Sequence, residues 1–240
     1  MNQSECSGLN SSEVVLRLRN VSHSFSARKD NFASGEHHVL QDVSFDVYKG
    51  EVLGIVGRNG VGKTTLLRLM AGILSPKSGS IEIEQGYTCA LLSLGLGFQP
   101  HLSGRDNAFL AAILQGSSMV QAQEAMAEIA EFSELAASFY EPVKTYSAGM
   151  RARLGFATSL FTHVDVLLVD EVLAVGDREF RVKAEKAMID KMSGQQTVIF
   201  VSHAEEQLKK VCSRAILLNA GSIVCEGTAE EVLSKYKTLF

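Results

Sequence analysis

Gly57, Gly62, Lys63 and Thr64 stand at the spacing G-x-x-x-x-G-K-[ST], inside the run Ile55-Val56-Gly57-Arg58-Asn59-Gly60-Val61-Gly62-Lys63-Thr64-Thr65. That is the pattern of a loop that cradles a polyphosphate. Glycines open backbone conformations closed to other residues, so successive N–H groups from Gly57 through Arg58, Asn59, Gly60 and Val61 to Gly62 can wrap phosphate oxygens without a Cβ in the way. Lys63 supplies a point charge to the β- and γ-phosphates of a nucleotide such as ATP. Thr64 offers a hydroxyl to Mg²⁺, and Thr65 completes the cradle. The helix opening there, expected from about Gly62 to Gly72, adds the positive end of its dipole. An ordinary glycine turn between a strand and a helix has the same local shape. Context favours the phosphate loop: Val52-Leu53-Gly54-Ile55-Val56 is a buried-strand run just upstream, and Leu66, Leu67, Leu69, Met70 and Ile73 follow at largely helical spacing.

Other groups complete the chemistry. Asp170 and Glu171 close the apolar run Val166-Leu167-Leu168-Val169, and a core does not tolerate carboxylates there without a cation nearby. In a phosphate-loop protein Asp170 serves Mg²⁺ directly or through water, and Glu171 accepts a proton from the attacking water. His203 follows a second apolar run, Val198 to Ser202, and emerges at the same sheet edge if the two strands are parallel. It can reach the γ-phosphate or orient the water; a lone histidine at a strand end also serves purely structural ends. Phe25 has two readings, a ring that stacks on adenine or a core phenylalanine at a strand end. Ser147, before a helix running to about Phe161, stands where an N-cap is wanted.

The elements that must position these groups alternate. Val14 to Leu18 with Val21, and Val43 to Val47 before Lys49-Gly50, show period-two patterning and are expected as antiparallel strands of a small sheet. Ser26 to Glu36 is polar and expected as an exposed loop. After the phosphate-loop helix, Pro76 to Ser80 is expected as a turn, Ile81 to Glu84 as a short strand and Cys89 to Leu92 as another. From about His101 to Phe161 strand character vanishes, and Met119, Ala122, Met126, Ile129 and Ala130 share one helical face. Val164 to Val169, Thr197 to Val201 and Arg214 to Leu218 are strands, with helices at Arg181 to Met192, Ala204 to Val211 and Thr228 to Tyr236. The last opens on a capping box, Thr228 with Glu231. The expected fold is α/β, a P-loop NTPase (RecA-like) with a mostly parallel sheet, a small antiparallel β subdomain and an inserted helical subdomain at about residues 100–160. All 240 residues are expected to form one domain, with residues 1–13 a flexible N-terminus.

Composition excludes several classes. A net charge of −4 with dispersed Lys and Arg gives no footprint for nucleic acid. No run of about 18 apolar residues occurs, and the first dozen residues lack the features of a signal peptide, so no membrane span is expected. Cys6, Cys89, Cys212 and Cys225 lack metal-ligand spacing, which fits isolated thiols in a reducing compartment, the cytosol by default. No Asn-Lys-x-Asp motif supports guanine recognition.

Phosphate loop, helical insert, Ser147-Ala148-Gly149, Asp170-Glu171 and His203, in this order, resemble the ATP-binding subunit of an ABC transporter over about residues 14–237. The resemblance implies that Phe25 is the adenine-stacking aromatic, that Ser147, Ala148, Gly149 and Met150 form the signature loop, and that Val175-Gly176-Asp177 crosses a dimer interface. It also implies a glutamine that touches Mg²⁺ and water. Gln99 fills that role if its loop is shortened; otherwise Ser93 or Leu94 occupies the usual place. Three departures, the Tyr146-Ser-Ala-Gly-Met150 signature, Val172 to Asp177 in place of Pro-Thr after Glu171, and residues 95–107, resemble the branch that exports polysaccharides, among them capsule, O-antigen (lipopolysaccharide) and teichoic acid. With little sequence after the ATPase core, no appended carbohydrate-binding domain is expected, which favours a capsule-exporter-like arrangement. The resemblance thus implies an ATPase (ATP with Mg²⁺) at the cytoplasmic face of the cell membrane, held there by an integral membrane permease. It would work as an ATP-dependent homodimer, with the polysaccharide cargo handled through the permease. Drug, lipid or peptide exporters are the neighbouring alternative. A soluble ABC ATPase acting on ribosomes or DNA is a more distant one.

Overall fold

The structure, a computed structural model, describes residues 13–26, 35–92, 97–170, 176–202 and 204–239. The period-two patterning at the start of the chain builds β1 (Val14–Ser26) and β2 (Glu36–Tyr48), paired antiparallel. β3 (Val52–Val56) follows and runs through the phosphate-loop sequence into α1 (Lys63–Met70). β4 (Ser78–Ile83) returns to pair antiparallel with β1, closing a three-stranded sheet of order β2-β1-β4. The turn expected at Pro76 to Ser80 is therefore shorter. Gly79, at φ +84°, passes so close to β1 that a Cβ would lie 2.3 Å from the Asn20 carbonyl, and this close approach recruits Ser78 to Ser80 into the strand.

β5 (Cys89–Leu91) begins the larger sheet. Helices then take over, as the sequence predicts: α2 (Gly104–Leu114), α3 (Met119–Ser133) and α4 (Ala148–Phe161), with two short 3₁₀ turns between α3 and α4. Ala122, Met126 and Ile129 of α3 are buried, but Met119 is 71% exposed. It is the first residue of its helix, and its side chain points back beyond the end of the packed face. The chain resumes with β6 (Val166–Asp170), α5 (Arg178–Met192), β7 (Thr197–Val201), α6 (Glu205–Val211), β8 (Arg214–Asn219), β9 (Ser222–Thr228) and α7 (Ala229–Leu239). The sheet order is β5-β6-β7-β3-β8-β9, parallel except for the β8–β9 pair. β9 is a strand the sequence reading did not anticipate. The predicted capping box is present: the Thr228 amide donates to Glu231 at 2.9 Å and the Glu231 amide to Thr228 Oγ1 at 3.3 Å.

The continuous apolar runs are explained by two cores on opposite faces of this sheet. Leu53, Ile55, Val166, Leu168, Ile199, Val201, Ile216 and Leu218 join β1, β2 and α1 in one core. Their alternates Val52, Val56, Leu167, Val169, Val198, Phe200, Ala215 and Leu217 join the helical segment, α5 and α7 in the other. Strands buried on both faces lose the polar alternation of a half-exposed strand.

Candidate nucleotide site

The register of the parallel strands fixes where the chemistry gathers. Asp170 pairs with Val201, and Val201 with Ile55, so the carboxyl ends of β6, β7 and β3 share one sheet edge. Beyond Val56 the chain turns at Gly57, where a Cβ would sit 2.4 Å from the Leu218 carbonyl. Gly62, at φ +105°, caps α1, and a Cβ there would lie 2.9 Å from the Val39 carbonyl. The two glycines of the motif are thus required by the fold itself.

α1 begins with no side-chain cap and no acidic residue in its first turn, whereas α5, α6 and α7 each carry glutamate there. An uncapped, acid-free helix start of this kind suits an external anion. Lys63 is buried, and its Nζ donates to the carbonyls of Gly57 at 2.6 Å and Arg58 at 2.9 Å, folding back over the loop. Burial pushes its pKa below the ordinary lysine value, and the Asp170 carboxylate pulls it partly back. Lys63 and Asp170 therefore face one space.

That space is a concavity of about 450 Å³ lined by Phe25, His37, Val39, Asn59, Gly60, Gly62, Lys63, Thr64, Thr65 and Asp170. Phe25 is 41% exposed, so it is not a core residue; its ring stands on the wall of the concavity at the end of β1. Arg58 and Val61 line a second recess of about 410 Å³ that shares His37, Val39, Asn59 and Gly60 with the first. Thr64 and Asp170 bring one hydroxyl and one carboxylate to the same wall. Among the described residues no cluster of three His, Cys, Asp or Glu could cage a metal. Two hard oxygen donors beside a phosphate cradle suit Mg²⁺, which keeps several waters and takes the rest of its ligands from substrate phosphates.

Other expected residues fall elsewhere. Gln99 does not line this concavity. It sits just before α2, its amide donating to Asn107 Oδ1 at 2.6 Å and its carbonyl accepting from Asn107 Nδ2 at 3.0 Å. It lines a separate groove of about 370 Å³ with Leu110, Leu114 and Gly155 of the helical segment. Glu171 and His203, like Ser93, Leu94, Val175 and the loop from 27 to 34, lie outside the described residues. Ser147 caps α4, its Oγ accepting from the Met150 amide at 3.2 Å, and Ser147, Ala148 and Gly149 are exposed and do not line the concavity. Asp177 caps α5 through the Phe180 amide at 2.9 Å and pairs with Arg153 of α4. The Phe180 amide and Arg153 together hold its carboxyl below the usual range.

Residues 40–174 match the family model described as ABC transporter. The chain belongs to the ABC transporter family. The O-antigen export system ATP-binding protein RfbB of Klebsiella pneumoniae is 41% identical to it over 198 residues, 82% of this chain and 80% of that protein. The teichoic acids export ATP-binding protein TagH of Bacillus anthracis is 37% identical over 93% of this chain but only 41% of its own length. Among solved structures, an ATP-binding subunit of an ABC transporter superposes with TM-score 0.74 over 93% of both chains at 20% identity. A dimeric ATP-binding cassette in a post-hydrolysis state, bound to ADP and Pi, superposes with TM-score 0.69 at 19% identity, over 89% of this chain and 98% of that one. The fold is that of a P-loop NTPase in its ABC form, with the antiparallel sheet and helical insert that the sequence predicts. Sequence reasoning missed His37 and Val39 as lining residues. Strand alternation alone does not bring His37 opposite Phe25, because β1 and β2 change register between them.

Proposed function

We propose that this chain is the ATP-binding and hydrolysing subunit of a polysaccharide exporter, acting through a separate membrane permease. The observation that carries the reading is the concavity in which Phe25, Lys63, Thr64 and Asp170 meet over the N-terminus of α1. An adenine ring fits against Phe25, the phosphates against the loop amides, and Lys63 exchanges its two loop carbonyls for phosphate oxygens. Thr64 and Asp170 hold Mg²⁺, which when bound neutralises the phosphates and polarises the bond to be broken. Glu171 takes the proton of the attacking water, and His203 orients the γ-phosphate. The whole described chain acts as one ATP-binding domain whose segment at about 100–160 is the helical subdomain.

Ser147, Ala148 and Gly149 are exposed, so they complete the site of a second copy, where the positive end of α4 approaches the γ-phosphate. Two copies then close on ATP and open after hydrolysis. The groove beside Gln99, with exposed Leu110 and Leu114, is the surface that passes this motion to the permease at the cytoplasmic face of the membrane. No helix among the described residues is long and apolar enough to cross a membrane, so the path for the cargo belongs to that partner. The names of the relatives, O-antigen and teichoic acids export, support a surface polysaccharide rather than a drug, lipid or peptide as cargo. The test is made in the cells that encode the chain. With Lys63→Ala in place of the native residue, surface polysaccharide disappears and its membrane-linked precursor accumulates inside. Unchanged surface polysaccharide together with loss of a different exported compound assigns the chain to another cargo.

A further inference from the structure

Beside the nucleotide concavity lies a buried imidazole to which the reading above gives no task. His23 is 7% exposed, and its Nδ1 stands 3.1 Å from the Ser75 carbonyl. A carbonyl only accepts, so Nδ1 carries a hydrogen and donates it. Nε2 is buried and has no hydrogen-bond partner among the described residues. An apolar residue of the same size would fill this place without leaving a polar atom unpaired, so burial alone does not account for a histidine here.

Two contacts give it a role. The His23 ring meets the Phe25 ring edge to face, with centroids 4.8 Å apart and planes at 81°. Its hydrogen bond to Ser75 reaches the segment that follows α1, the helix whose first turn forms the phosphate cradle. The strand that carries both rings needs such a tie. His23 pairs with Leu40 but Ser24 with His38, so Val39 of β2 is an unmatched bulge residue and the register of the pair changes between the two rings. Phe25 lies beyond this change, half-exposed.

We propose that His23 is a positioning residue for the nucleotide base: it braces the Phe25 ring edge to face and anchors it to the segment that follows α1, fixing the distance between base platform and phosphate cradle. The inference rests on the reading of Phe25 as the base platform. Its test compares Mg·ATP with Mg·tripolyphosphate, which has the phosphates without the base, by titration calorimetry on the full chain. In His23→Ala, ATP affinity falls about threefold to tenfold, the range an aromatic pair contributes, while tripolyphosphate affinity stays as in wild type. His23→Phe, which restores a ring, regains most of the loss. Because His23 acts through Phe25, His23→Ala adds nothing further once Phe25→Ala is present. Should His23→Ala fold poorly, His23→Leu keeps the volume without ring or hydrogen bond and gives the same selective loss. Equal losses for both ligands, no loss in ATP affinity, or additive losses in the double variant overturn the proposal. A wild-type chain that binds the two ligands equally overturns the Phe25 reading as well, which separates the two failures.

Discussion

Phe25 is proposed as the base platform because its ring is 41% exposed on the wall of the concavity and makes little of the core. Phe25→Ala should weaken ATP binding by about 1–3 kcal/mol, the worth of base–aromatic stacking elsewhere, and leave the melting temperature unchanged. Calorimetric titration and thermal melting check both halves; lost stability with unchanged affinity would make the ring a packing residue after all. At this scale the phosphate end of the site was legible in the sequence. Gly57, Gly62, Lys63 and Thr64 are local in the chain, and each type has one physical task. The base end was only half legible. Phe25 could be named as an aromatic at a strand end, but whether it faces a core or a cavity depends on pairing with β2 through four register shifts. Gln99 shows the opposite failure, since its type suits the role while its backbone is stapled to Asn107 beside a different groove.

Among the elements, the strands buried on both faces were the easiest to recognise, for Val166 to Val169 and Val198 to Val201 divide their side chains between two cores and leave no polar alternation. β9 was missed because it is a half-exposed strand at the sheet edge, and Glu226 and Gly227 break its apolar pattern. One element contact makes a pH prediction. Lys191 of α5 donates to the Leu160 carbonyl and, at 3.5 Å, to the Thr162 carbonyl at the end of α4, clamping α4 to α5. Burial pushes its pKa down to about 8 from the ordinary 10.5. The folded value lies below the unfolded one, so between them the unfolded chain binds the extra proton and stability rises with pH across that interval. The gain is at most about 3 kcal/mol. It should be absent in Lys191→Met, and denaturant unfolding at pH 8 and pH 10 compares the two chains. The same slope in both would remove Lys191 as its source.

At the scale of the whole molecule, the proposed two-chain site joins the exposed cap of α4 in one copy to the phosphate loop of another. Glu171→Gln keeps shape while removing the base, which for general-base catalysis lowers the rate by roughly 10²- to 10⁴-fold, so ATP persists. The closed dimer should then accumulate with ATP and dissociate with ADP, as light scattering reports. Adding Ser147→Arg places a bulky chain where the phosphate must approach, so that variant should stay monomeric while still binding ATP. A double variant that dimerises equally well contradicts the two-chain site. Beneath this lies the claim that the concavity over α1 is where ATP is bound and cleaved, and steady-state Mg·ATP hydrolysis by wild type and Lys63→Ala tests it most directly. Lys63 is buried, but its Nζ is held by two carbonyls of the phosphate loop and not by either apolar core, so Lys63→Ala should still fold and lose at least about 10²-fold in turnover, the scale of a deleted electrostatic contact to a transition state. A folded Lys63→Ala chain that hydrolyses ATP at the wild-type rate would contradict it.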